Sequence, residues 1–253
     1  MKLMRYLIAI SLNPFLIFKS IYRLPWFFFQ KIQFQKLLKK NSNSNLEVLP
    51  ILFDYDKQAG LLNEYFWQDL LVAKKIIKLN PKRHIDIGSR IDGFIAHLAC
   101  VRKIEVLDIR PLSSSIENVK FTQWDINNPK KELYSTADCV SCLHTLEHLG
   151  LGRYGDKLDP DGWKKGLDSI VNLLVDKGKL WLSVPLGNER IMFNAHRIFA
   201  PKTIVDYSSQ LGIELAEFYY LTDNGFKKSS NNKKDMRKIA NKNYTVGIFL
   251  FRK

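Results

Sequence analysis

The chain has 253 residues, 46% of them hydrophobic, enough for one sizeable domain with an appendage or for two small domains. Three cysteines, Cys100, Cys139 and Cys142, do not make a disulfide framework, so a secreted disulfide scaffold is excluded and a reducing cytosolic setting fits. The net charge of +14 sits at the ends: residues 1–40 contribute +8, residues 227–253 another +8, and the middle is left at −2. That distribution argues against a nucleic-acid groove read by the core and for an anionic surface touched by the ends, although plain solubility accounts equally well for the C-terminal run.

The first segment, "MKLMRYLIAISLNPFLIFKSIYRLPWFFFQKIQFQKLLKK", is apolar, aromatic and basic at once. It lacks the uninterrupted apolar stretch and small-residue cleavage site of a secretory signal. Leu3 to Phe18 is shorter than the roughly 20 residues of a membrane span and contains Arg5, Asn13 and Pro14. Basic residues on one side and Trp26, Phe27, Phe28 and Phe29 on the other predict amphipathic helices lying in the interface of an anionic membrane, on its cytoplasmic face. Packing onto the domain or a partner subunit is the alternative. "NSNSN" (41–45) reads as a linker, dividing the chain into a membrane-surface segment, 1–45, and a domain, 46–253.

Residues 61–79 have helical periodicity, with Leu62, Phe66, Leu70, Ala73 and Ile77 on one face, and "NP" (80–81) stops them. Alternating units follow. These are strand "HIDI", a helix from about 93 to 101, strand "KIEVLDI", a short strand near "VKFTQWD", and strand "ADCVSCL". A helix over roughly 163–175, strand "KGKLWLSV" and a helix opened by "AP" (200–201) come next. "IELAEFYYL" and "YTVGIFLF" finish as a strand pair around a polar, lysine-rich excursion. Strands alternating with helices predict a parallel α/β sheet covered on both faces. Ligands bind such sheets beyond the carboxyl ends of the strands.

After the first strand stand Asp86, Gly88, Ser89 and Arg90. The glycines, Gly88 and Gly93, are spaced G-x-x-x-x-G. A dinucleotide fingerprint needs a middle glycine so that pyrophosphate can approach the backbone. A P-loop needs Lys and Ser/Thr where Phe94 and Ile95 stand. A ligand without phosphates fits better. Asp108, 20 residues beyond Gly88, ends the second strand at the ribose-reading position. Asp125 follows the third strand and can take an adenine amino group, with Ile126 or Trp124 against the ring, or can cap a turn.

"IDIGSR-x-DG", "EVLDIR", "WDI" and "LHTLEHLGLGRYGD" resemble, in order, the motifs of class I S-adenosylmethionine-dependent methyltransferases. More narrowly, "GLGRYGD" and "AHRIFAP" resemble an uncharacterised bacterial branch of that fold associated with polysaccharide assembly. The resemblance covers about residues 60–253. It implies a Rossmann-like three-layer sandwich with a mostly parallel seven-stranded sheet and an antiparallel last strand. It implies S-adenosylmethionine, a nucleoside without phosphates, as cofactor. It further implies a cofactor cleft formed by Asp86, Gly88, Ser89, Arg90, Asp108, Ile109, Asp125, Ile126, His144 and Glu147. The sequence departs at Arg90 and Asp92, where most such enzymes have more glycine.

Cys139 and Cys142, three apart on a strand, face opposite sides of the sheet and read as core. His144-x-x-Glu147-His148 also matches a zinc-peptidase pattern, but Gly150 and Gly152 end any helix too soon for it. Arg153, Tyr154 and Asp156 on the glycine-rich loop, with Arg190 and Arg197, are candidate acceptor-binding residues. Methyl transfer to a hydroxyl, on a glycan or a lipid-linked saccharide, needs a base, and His196 is the first candidate with His148 the second. A non-catalytic protein that keeps the fold, binding in surface polysaccharide assembly, is the alternative reading.

Overall fold

The computed structural model describes residues 14–41, 46–52, 62–128, 130–230 and 232–253. The chain divides into two units, with the boundary between Leu61 and Leu62. In the first, helix α1 runs Pro14–Asn41, opening on a proline, whose missing N–H is no loss in a first turn. Phe15, Phe18, Tyr22, Trp26, Phe28 and Phe29 are exposed along it. Trp26 and Phe29 stack at 5.4 Å, while Phe27 and Phe28 meet edge-on at 5.6 Å. Four consecutive helical residues sweep about 300° of circumference, so this cluster rings the helix instead of forming the expected single face. Among the described residues no helix is long and apolar enough to cross a membrane. The expectations for residues 1–13 and 42–45 lie outside the described residues.

In the second unit, helix α2 (Glu64–Leu79) is capped by Asn63, whose Oδ1 accepts from the Phe66 N–H at 3.1 Å. It ends at Asn80, left-handed at φ 48°, whose N–H returns to the Ile76 carbonyl at 2.9 Å. Its buried face is Gln68, Val72, Ala73 and Ile76. The expected stripe is therefore wrong by roughly one residue, about 100° of rotation, and Leu62, Phe66 and Ile77 are exposed. Apolar residues surround this helix, so periodicity alone does not pick the side.

Strands β1 (His84–Ile87), β2 (Ile104–Asp108), β3 (Val119–Gln123), β4 (Ala137–Leu143) and β5 (Leu174–Leu186) pair in parallel. Between β1 and β2 a π turn, Ile91–Ile95, leads into helix α3 (Ala96–Ala99). Helix α4 (Gly162–Leu173) precedes β5. Strands β6 (Arg190–Met192) and β7 (His196–Ile198) form a separate antiparallel pair, and helix α5 (Pro201–Gln210) follows. The main sheet is completed by β8 (Glu214–Thr222), β9 (Gly225–Lys228) and β10 (Thr245–Arg252), in the order β3-β2-β1-β4-β5-β10-β8-β9.

Strand β10 runs antiparallel to both β5 and β8, as the resemblance implies. The count is eight strands, not seven. The lysine-rich excursion contains edge strand β9, hairpinned onto β8, and helix α6 (Asn232–Ala240), whose Ile239 is buried. Gly225 starts β9 at φ +93° with the Trp67 ring against its Cα; an added Cβ would lie 3.0 Å from the indole. Two apolar layers flank the sheet. One packs α2 and α3, and the other packs α4, α5 and α6. Cys139 enters the first and Cys142 the second, on opposite faces as their spacing requires.

Candidate functional site

A cavity of about 560 Å³, within the usual range for small-ligand sites, opens at the carboxyl ends of β1–β4. Asp86 ends up beneath it. The side chain is 0% exposed and accepts from the Ser89 N–H at 3.0 Å, the Ser89 Oγ at 2.9 Å and the Ser141 hydroxyl. Burial pushes its carboxyl up to about 7. Asp86 therefore shapes the loop and does not line the cavity, contrary to its expected place in the cofactor cleft.

Gly88 does line it, at φ +71°, with Thr145 packed where a Cβ would be, 2.6 Å away. Two of the loop amides are spent inside the protein. Gly88 N–H bonds the Leu107 carbonyl at 2.9 Å, and Ser89 N–H bonds Asp86. Neither of these two amides is free to cradle a phosphate. Arg90 and Asp92 are tolerated because they pair with each other in solvent, Nε to Oδ1 at 2.9 Å.

Asp108 lines the cavity, yet Arg110 holds it. Oδ1 accepts from the Arg110 N–H at 2.8 Å and Nε at 2.9 Å, and Oδ2 accepts from Nη2. The guanidinium also reaches the Gly88 carbonyl at 3.3 Å and lies 5.1 Å from the Tyr154 ring centroid. Ile109, Asp125 and Ile126 line the cavity too. Asp125 takes the turn role, its Oδ1 accepting from the Asn127 N–H at 2.9 Å, and it lines the cavity as well.

At the end of β4, His144 adopts φ +54° and donates Nδ1–H to Glu147 Oε1 at 2.8 Å, beneath the Tyr65 ring at 4.9 Å. Glu147 is 1% exposed and lies behind the wall, so it orients His144 and does not itself line the cavity. His144 Nε2 and Glu147 Oε2 have no hydrogen-bond partner among the described residues. His148 lines the cavity. Its Nδ1–H donates to the Ala195 carbonyl at 2.7 Å, which leaves Nε2 as the free base 3.8 Å from Glu147 Oε1. Burial lowers its pKa below the ordinary histidine value. His196, on β7, is lowered for the same reason but is not part of the cavity wall.

The candidate acceptor residues divide. Arg153 and Tyr154 line the cavity, with the Arg153 guanidinium 5.3 Å from the ring centroid. Asp156 reaches the wall, but its carboxylate builds the loop. It accepts from the N–H groups of Gly150 at 2.7 Å, Gly152 at 3.2 Å and Tyr154 at 3.2 Å. Arg197 is 3% exposed and donates to the carbonyls of Leu149 at 2.6 Å and Pro160 at 3.1 Å, so it staples the loop instead of meeting a ligand. Arg190 is outside the cavity, bonded to the Asn188 carbonyl at 2.8 Å and Asn243 Oδ1 at 3.0 Å. Tyr65 and Asp69 of α2 line the cavity without any motif to announce them; the only signal is an acid amid apolar helical residues. Arg110 lines the cavity as well; it closes the "EVLDIR" motif, in which no role was assigned to it.

The sheet order with reversed β10, and a cleft bounded by strand-end carboxylates, define the Rossmann-like fold of class I methyltransferases. The chain belongs to the family described as "Caenorhabditis protein of unknown function, DUF268", whose model matches residues 101–248. Solved structures share the fold at low identity. The Burkholderia thailandensis 1,6-didemethyltoxoflavin-N1-methyltransferase, with bound 1,6-didemethyltoxoflavin and S-adenosylhomocysteine, is 13% identical with a TM-score of 0.52, over 75% of this chain and 79% of that one. An S-adenosylmethionine-dependent methyltransferase from Clostridium acetobutylicum is 12% identical with a TM-score of 0.51, over 76% and 92%. The [4+2]-cyclase SpnF is 13% identical with a TM-score of 0.51, over 73% and 79%. No curated protein matches the chain in sequence.

Proposed function

We propose that the protein is an S-adenosylmethionine-dependent methyltransferase acting on a hydroxyl of a glycan or lipid-linked saccharide. One observation carries the cofactor reading. The cleft offers carboxylates for the ribose and adenine positions, Asp108 and Asp125, while the Gly88 and Ser89 amides of the loop, which a pyrophosphate would need, are already bonded internally. The cofactor supplies an electrophilic methyl group when bound. His148 takes the acceptor proton at Nε2, since its Nδ1–H is fixed on the Ala195 carbonyl and burial keeps the ring neutral near pH 7. Arg153 and Tyr154 orient the acceptor from the loop. The glycan acceptor rests on the resemblance of "GLGRYGD" and "AHRIFAP" to a polysaccharide-associated branch. The cations and exposed aromatic rings of α1 support contact with an anionic membrane surface.

A second reading, a binding protein that has lost transfer, is favoured by Arg110, which already holds Asp108. Thermal shift with S-adenosylmethionine and S-adenosylhomocysteine tests the cofactor. Stabilisation of several degrees at millimolar ligand is expected. No shift with either ligand sinks the methyltransferase reading.

A further inference from the structure

The β6–β7 hairpin carries apolar side chains that the core does not use. Ile191, Met192 and Phe193 follow one another at its outer end and are 58%, 40% and 75% exposed. Neighbours on a strand point to opposite faces, so neither face of the tip is covered. The base, by contrast, is fixed. Ile198 and Phe199 are buried, the Gly187 N–H donates to the Phe199 carbonyl at 2.9 Å, and Arg197 staples the neighbouring loop. The hairpin also adjoins the cavity. Its Ala195 carbonyl accepts from His148 Nδ1 at 2.7 Å and from Arg153 Nη1 at 3.2 Å, and both of these residues line the wall. A basic element meets the same hairpin base. The Asn188 N–H donates to the Lys242 carbonyl at 2.8 Å, and Arg190 Nη2 donates to Asn243 Oδ1 at 3.0 Å, in the turn that follows α6. On α6, Met236 and Ile239 pack into the core. Lys233, Lys234, Arg237 and Lys238 are exposed and fall within an arc of about 140° on the other side. The acid of that helix, Asp235, is engaged by the Ser229 hydroxyl at 2.6 Å, and Glu189, beside the hairpin, by the Thr203 hydroxyl at 2.7 Å.

We propose that this face of the second unit docks on an anionic lipid bilayer, the Ile191–Phe193 tip entering the interface and the cations of α6 meeting the headgroups. Burial of the tip and attraction to anionic headgroups add to one another. Solubility accounts for the cations alone and gives no reason for an exposed Ile-Met-Phe run next to them. A contact of so few residues is weak by itself; α1, on the same chain, raises its effective concentration at the surface. Docking seats the cavity rim on the bilayer, so that the acceptor hydroxyl is one carried by a lipid headgroup. That last consequence rests on the methyltransferase reading above, and the docking itself does not.

The test uses the full chain, mixed phosphatidylcholine–phosphatidylserine vesicles and an environment-sensitive nitrobenzoxadiazole dye on a cysteine. Cys100 is exposed and precedes the amino end of β2, at the end of the sheet away from the cavity, so the dye there is the control. Cys100→Ser with Met192→Cys moves the dye to the tip. On vesicles the tip dye should shift to the blue and be quenched by lipids spin-labelled in the acyl chain, while the dye on Cys100 stays unchanged. Phe193→Ser, and separately Lys233→Glu with Lys238→Glu, should each weaken vesicle binding about tenfold, with an unchanged thermal transition because all three side chains are exposed. A silent tip dye on vesicle-bound protein would show that α1 alone holds the chain, and that overturns the proposal. Variants that bind as the unaltered protein does overturn it too, as does a chain that leaves the vesicles unbound. A blue shift that grows with protein concentration in the absence of vesicles would make the tip an interface between copies, again overturning it. The thermal shift with S-adenosylmethionine decides the cofactor reading separately.

Discussion

Removing Arg110 should strengthen nucleoside binding, although arginine in a cleft is usually read as a ligand contact. The carboxylate of Asp108 has about four lone-pair positions. Arg110 fills three of them, from its N–H at 2.8 Å, Nε at 2.9 Å and Nη2. The two hydroxyls of a ribose need two, so at least one arginine bond must open before the sugar can seat. The Arg110 side chain is 45% exposed, so water replaces most of what it loses, and opening costs about 1 kcal/mol. Arg110→Ala should therefore bind S-adenosylhomocysteine about fivefold more tightly by calorimetry. Asp108→Ala, which loses hydrogen bonds to a charged acceptor, should bind it at least about 100-fold more weakly. Tenfold weaker binding by Arg110→Ala would refute the reasoning and make the guanidinium a ligand contact. Unchanged affinity in Asp108→Ala would remove the ribose assignment altogether.

Three further outcomes are expected. Arg197→Ala leaves the carbonyls of Leu149 and Pro160 without their buried donor and should lower unfolding free energy in urea by about 3 kcal/mol, with Arg197→Lys recovering only part; a loss under about 1 kcal/mol would show that the loop stands without the staple. The Asp86 carboxyl sits near 7 when folded, above its unfolded value, so the unfolded chain ionises first and stability falls as pH rises from about 4 to 7. Relative to Asp86→Asn, the unaltered protein should lose stability across that window and run parallel outside it; urea midpoints that track each other throughout would contradict the assignment. Deleting residues 1–61 should release the protein from anionic vesicles while the rest stays folded, because among the described residues both core clusters and the side chains packed on them begin at Leu71 or later. Full-length binding should weaken with salt without vanishing. Loss of the thermal transition on truncation would place that segment in the core and end the membrane proposal.

How much was legible from the sequence follows from which interactions are local. Short apolar runs located β1, β2, β4, β5 and β10, and a change of pattern at each strand end marked Gly88, Asp108 and Asp125, all of which reach the cavity. The two strand cysteines were assigned to opposite faces by pleat alone, and "NP" stopped α2 where Asn80 turns left-handed. These are properties of a few consecutive residues, and they survive in any context that buries one face. The rest depends on what a distant segment brings. Arg197 and Asp156 look like ligand contacts in sequence, but they meet the backbone carbonyls and amides of the loop after β4, which only the closed fold presents to them. The buried face of α2 is chosen by the sheet, because the helix is apolar on more than one side. The same rotation delivers Asp69 and Tyr65 to the cleft. A polar side chain carries no local mark of whether its partner will be a ligand, a carbonyl or water; that partner comes from another part of the chain, and tertiary packing alone supplies it.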